Sequence, residues 1–148
     1  MSRILVLLLL LLLATSSARA EDLWISFGGI SHHARPEAGD NERNFGIGFQ
    51  AGLPPTTRLV AQSFRNTHRV DSTLIGVAWH PWDVYSGEWG RVRPWVLAAS
   101  ITGYKIDAMW AALPGVSWEG RRVGVDLLLA RERDDGGMVY ALNFKVKW

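Results

Sequence analysis

The chain has 148 residues, with 16 basic and 14 acidic side chains, a net charge of +2 and no cysteine. That length fits one domain, and the near balance of charge gives no footing for a nucleic-acid partner. With no disulfide framework available, stability must come from backbone pairing and side-chain burial.

Arg3 precedes an unbroken apolar run over residues 4–14, and Ala18, Arg19 and Ala20 form a small-x-small cleavage site. This is the layout of a secretory signal peptide. The run is well short of the roughly 20 residues that a membrane-spanning helix needs. Cleavage after Ala20 leaves residues 21–148, and losing Arg3 and Arg19 brings the basic side chains down to 14, equal to the 14 acidic ones. The expected domains are therefore a signal peptide over residues 1–20 and a single folded unit over residues 21–148.

Beyond the signal, period-two alternation of apolar and small or polar residues dominates, the pattern of strands with two different faces. It is clearest at the end, where Tyr140, Leu142, Phe144, Val146 and Trp148 alternate with Ala141, Asn143, Lys145 and Lys147. In chain order, strands are predicted over residues 22–30, 45–53, 57–64, 73–80, 93–103, 109–118, 123–129 and 140–148. No stretch shows helical periodicity. Eight segments near the 9–11 residues of a tilted membrane strand predict an all-β fold: an eight-stranded antiparallel transmembrane β-barrel of the outer-membrane type.

Alternation alone also fits a soluble barrel of the lipocalin kind, with the apolar face inward. Three features favour the membrane version. The chain ends on an apolar-alternating strand with a terminal aromatic, Trp148. Hairpin tracing puts Trp24, Trp79, Trp82, Trp95, Trp118 and Trp148 near one rim, where an aromatic girdle belongs. The face presumed to meet lipid carries almost no charge. The expected location is the outer membrane, and a closed barrel has no edge that demands a partner, so a monomer is expected.

The turns then sort to two ends. Leu53, Pro54, Pro55 and Thr56, and Glu119 with Gly120, make short turns; residues 80–93 form a longer one on the same side. The opposite end carries residues 32–44, 65–71, 104–107 and 131–137, which hold most of the ionisable groups. Function on small barrels usually sits in such loops. His32 and His33 follow the first strand, and Asn66, Thr67, His68, Asp71 and Ser72 follow the third, so both sets open at one mouth. Histidine beside a hydroxyl suits acyl transfer: imidazole takes the hydroxyl proton while amide donors steady the oxyanion. A hydrated loop cluster with no catalytic role has the same composition. No spacing matches a metal-ligand pattern, and no cofactor is expected.

Inward positions are unusually small: Gly28, Gly46, Gly48, Gly52, Gly76, Ala78, Ala98 and Gly124. They either leave a slot for one hydrocarbon chain or make room for inward Arg58, Gln50, Gln62 and Trp24. Pro114, in mid-strand, removes a ladder donor. The weakened pairing there is either a lateral route for lipid or an ordinary bulge.

The run His33, Ala34, Arg35, then Asn41, Glu42, Arg43 and the strand Phe45, Gly46, Ile47, Gly48, Phe49 resembles the first loop and second strand of the lipid A palmitoyltransferase family (PagP-like). Phe64, Arg65, Asn66 and Thr67 through Gly76 and Trp79 keep the spacing of that family's second catalytic segment. Leu113 and Pro114 before a Val-Gly strand resemble its later strands more loosely. The resemblance implies an eight-stranded outer-membrane barrel that moves a palmitoyl chain from a phospholipid donor to lipid A. It implies a catalytic histidine at His33 and, at the family's Asp-Ser pair, Asn66 and Thr67. Asn66 has no carboxylate, whereas Asp71 and Ser72 form a literal Asp-Ser pair a few residues later. The family's amphipathic N-terminal helix has no counterpart, because a strand is predicted almost at once. The expectation is that His33, helped by Asn66, activates Thr67 or the acceptor hydroxyl directly. A non-catalytic lipid-binding or structural barrel, and a lipid A deacylase-like hydrolase, are the alternatives.

Overall fold

The computed structural model describes residues 23–35, 39–104, 108–131 and 137–148. The signal peptide expected over residues 1–20 lies outside them. The described chain is all-β with no helix. Its strands are β1 (Leu23–His33), β2 (Gly46–Leu53), β3 (Thr57–Arg65), β4 (Asp71–Trp79), β5 (Tyr85–Gly87), β6 (Gly90–Ile101), β7 (Met109–Glu119), β8 (Val123–Arg131) and β9 (Met138–Lys147). All pairings are antiparallel between neighbours, and β4 pairs with β6 to close the sheet. The fold is thus the expected closed eight-stranded barrel. The short β5 is an addition within the long turn: β4 leaves the ladder at Trp79↔Val96, and β5 takes up the lower end of β6 at Tyr85↔Val92 and Gly87↔Gly90.

The two faces of the wall divide as alternation demands. Phe27, Ile47, Val77, Val96, Val116, Tyr140, Phe144 and Val146 stand exposed on the outside. Inside, the end near the short turns is ionic. Lys145, fully buried, donates to Glu119 Oε1 at 2.7 Å, Asp126 Oδ1 at 2.8 Å and Ser117 Oγ at 2.9 Å. Arg58 grips Glu119 through both guanidinium nitrogens, the second at 3.1 Å from Oε2. Gln50 donates to Asp126 Oδ2 at 2.6 Å. The interior also holds an apolar core built on Val60, Leu74, Trp95, Leu97, Ile101 and Leu128. A buried charge is tolerable only while paired. Lys145→Met is therefore expected to cost about 3–5 kcal/mol, because it strips the shared cation from two carboxylates. The test is the urea midpoint of the folded barrel in detergent, with Lys147→Met, at the strand's end, shifting it far less.

Two expectations are corrected here, and one left open is narrowed. Ala98 faces outward: Gly76 pairs with Ala99, so Ala99 takes the inward place. Trp24 and Trp95 are not on the rim. They lie inside at 1% and 2% exposure, while Trp79, Trp82, Trp118 and Trp148 are exposed. The inward glycines fit closely against neighbouring side chains. A Cβ on Gly48 would come within 2.8 Å of Gln62 Cβ, one on Gly76 within 2.7 Å of Ala99 Cβ, and one on Gly124 within 2.8 Å of Lys145 Cε. Of the two readings of those glycines, the structure favours room for inward side chains; Arg58, Gln50, Gln62 and Trp24 are indeed buried inside.

Pro114 sits in β7 opposite Val96 with no bulge, since the β6–β7 register runs unbroken from Arg91↔Glu119 to Ile101↔Met109. Its effect falls on the other side. The β7–β8 ladder covers only Gly115↔Leu128 to Glu119↔Gly124 and stops one residue short of Pro114. Beyond it, residues 109–114 of β7 and residues 129–131 of β8 are both extended, and among the described residues each is paired only to its other neighbour. Among the described residues, the wall has an unpaired seam at the end that carries the 65–71 loop.

Candidate active site

The site begins with a change of parity in β1. Trp24 and Ser26 point inward, but after a register shift between Phe27 and Ile30 the inward residues are Ser31 and His33. The shift is a bulge at Gly28 and Gly29, where an added Cβ would collide with Asn44 O and Leu142 O respectively. A bulge re-aims the residues after it. It carries the strand three residues past its predicted end and turns His33, rather than His32, into the barrel.

The loop between β3 and β4 supplies the partner. Thr67 Oγ1 lies 3.3 Å from His33 Nε2, with His33 1% and Thr67 8% exposed. The loop is a tight turn: Asn66 N donates to Val70 O at 2.9 Å and Arg69 N to Asn66 O at 3.0 Å, with Arg69 at a φ of 61°. A bulky residue adopts that left-handed conformation only when its surroundings enforce it. The segment between β1 and β2 is stitched to that loop. Asn41 N donates to Thr67 O at 2.8 Å, and Asn41 Nδ2 donates to Asn66 O at 3.1 Å. This bond pair gives the Asn41, Glu42, Arg43 triplet a structural meaning: its first member fixes the backbone that carries Thr67.

The Asn66 amide is engaged elsewhere. Its Nδ2 donates to Ser72 Oγ at 3.0 Å and Gly103 O at 2.7 Å, and its Oδ1 accepts from Val70 N at 3.0 Å. It clamps the loop to β4 and to the end of β6. Gly103 allows this approach with a φ of +86°, and a Cβ there would lie 2.5 Å from Ser72 Oγ. A carboxylate cannot donate to the Gly103 carbonyl. Asn66→Asp is therefore expected to destabilise the barrel by about 1–3 kcal/mol and to lower any activity. Thermal unfolding followed by heat-modifiable gel mobility measures the first effect.

The alternative pair separates. Asp71 is exposed at the start of β4, while Ser72 is buried and engaged by Asn66. The other histidines are placed elsewhere. His32 is exposed, 3.4 Å from Glu42 Oε1. His68 meets Tyr104 edge-on. His80, past the end of β4, stacks on Trp95; burial, then the nearby positive Arg58, pushes its pKa down to about 3. His33 is the histidine placed in hydrogen-bond contact with a hydroxyl. The sequence reading missed Gly28, Gly29, Asn41 and Gly103 as the parts that assemble the pair, although the Gly-Gly doublet inside an alternating strand was a legible bulge signal.

No protein-family model matches the chain, and no curated protein sequence is significantly similar to it.

Proposed function

We propose that this protein is an outer-membrane acyltransferase that moves a palmitoyl chain from a phospholipid to lipid A. The observation that carries the reading is the buried imidazole–hydroxyl pair of His33 and Thr67 at one mouth of the barrel. Two others support it. The outer wall is apolar while a cluster of charges is buried within, the reverse of a soluble ligand-binding barrel and the arrangement that lipid favours. The seam above Gly115↔Leu128 lies at the same end as the pair, two strands around the wall from β1. It gives a lipid ester a route to His33 that does not cross water.

In the proposed reaction His33 Nε2, as the neutral imidazole, takes the proton of the attacking hydroxyl. If Thr67 attacks, its Oγ forms a bond to the donor's ester carbonyl. Collapse of the tetrahedral adduct breaks the ester, and the lysolipid leaves with the proton from His33. The lipid A hydroxyl then repeats the cycle on the threonyl ester, again through His33, and Thr67 is regenerated. If the lipid A hydroxyl attacks the donor directly, Thr67 orients the imidazole instead. The packed interior leaves the acyl chain along the seam, with only its ester reaching the pair. Near-complete burial of the pair disfavours water as the acceptor and so favours transfer over hydrolysis.

The purified barrel, mixed with dipalmitoyl phospholipid and lipid A in detergent, should yield lysophospholipid and a lipid A heavier by one palmitoyl group. Free palmitate in place of acylated lipid A would move the assignment to a hydrolase. Neither product, from a folded barrel, would leave a non-catalytic one.

A further inference from the structure

A second feature lies at the opposite end, in the turn that carries β5. Tyr85, Val92 and Trp118 form one cross-strand row, and Trp118 faces outward on β7. Trp118 donates its indole N–H to Trp89 O at 3.1 Å, which holds the hairpin tip against the wall. Asp83 pairs with Arg93 at 3.1 Å and ties the approach to the hairpin back to β6. The segment is thus fixed in place, yet its large side chains are left bare: Trp82 is 62%, Val84 67% and Trp89 79% exposed. Beside Trp89 a shallow open cleft is lined by Glu88 and Arg121. Bare tryptophan and tyrosine beside arginine match the chemistry of a phospholipid headgroup layer, where the indole is amphipathic and the guanidinium meets phosphate.

We propose that the β5–β6 hairpin is an interfacial anchor that inserts into the headgroup layer of the leaflet opposite the catalytic mouth, with Trp82, Val84, Tyr85 and Trp89 as its apolar contacts and Arg121 facing phosphate. It rests on the outer-membrane reading above. The occupant is lipid rather than a protein because the row continues the apolar outer wall without a break: Val92 and Trp118 belong both to the hairpin's row and to the barrel. The anchor sets the depth of the barrel, and with it the height of the opposite seam relative to the other leaflet.

The chain has no cysteine, so single probes can be placed without background. An environment-sensitive NBD label is attached at Val84→Cys, Trp89→Cys or Val146→Cys, the last on the outer wall of β9. Each labelled barrel is refolded into phosphatidylethanolamine–phosphatidylglycerol vesicles and checked by heat-modifiable mobility. The expected result is quenching at 84 and 89 by lipids spin-labelled near the headgroup, protection from aqueous iodide, and quenching at 146 by lipids labelled deeper in the chain. Iodide access at 84 and 89 with 146 still in lipid would overturn the anchor and leave the membrane reading intact. Iodide access at all three sites would overturn both. Protection at 84 and 89 that depends on protein concentration and not on spin-labelled lipid would assign the patch to a second copy of the chain and overturn the proposal. As a functional arm, Trp82→Ser with Trp89→Ser is expected to shift the label at 146 to a different depth, whereas a merely structural role in the turn leaves that depth unchanged.

Discussion

His33→Ala is expected to lower acyl transfer by about 10²–10⁴-fold, the span that a positioned general acid–base contributes. The barrel itself should survive. His33 sits on the last residue of β1, and the closed ladder that holds the strands does not depend on its ring. Thr67 tells the two proposed routes apart. If Thr67 Oγ is the nucleophile, Thr67→Ala falls as far as His33→Ala, Thr67→Ser retains activity, and a palmitoyl mass is recovered on the Thr67 peptide after a quench. If Thr67 only orients the imidazole, Thr67→Ala loses less and no acyl-protein forms. Transfer that persists at the native rate in the folded His33→Ala barrel would remove His33 from the chemistry.

Closing the seam should stop the reaction without touching that pair. If the β7–β8 ladder continued past Gly115↔Leu128, the next inward partners would be Leu113 and Ala130. Leu113→Cys with Ala130→Cys puts thiols there in a chain with no other cysteine. The pair is joined by a disulfide if the strands approach to within roughly 7 Å between Cα atoms, or by a short reducible linker if they do not. Transfer is expected to drop to background on bridging and to return on reduction. Leu127→Cys with Leu142→Cys joins strands that are already paired and should leave transfer unchanged. Equal activity in the bridged and reduced seam variants would mean that lipid reaches His33 by another path.

Most of the fold was legible because alternation, once it runs through eight segments, constrains both strand count and face. Arg58, Gln50 and Gln62 read correctly as inward simply by counting twos along their strands. Counting failed wherever parity changed. In β1 the Gly28–Gly29 bulge shifts the register, so the strand runs on to His33 and the histidine that enters the barrel follows from the bulge, not from the pattern. In β6 a one-residue error put Ala98 inside. Trp95 was assigned to a girdle on chain position alone, whereas its parity puts it in the core; Trp24, read both as inward and as part of that girdle, lies inside, under the Lys145 ammonium at 5.1 Å from the ring centroid. The site was legible as two loops at one mouth, but not as a division of labour. Residue type could not say that Asn66 spends its amide on Ser72 and Gly103 while the Thr67 hydroxyl faces His33; those partners lie up to 37 residues away.

The measurement that reaches the central claim most directly is a mass spectrum of lipid A from cells lacking the gene, cells carrying it, and cells carrying His33→Ala, with each protein verified as a folded barrel in the outer membrane. The account predicts a gain of one palmitoyl group with the native chain alone. Unchanged lipid A in all three would contradict it and leave a barrel whose buried histidine–threonine pair serves no acyl transfer.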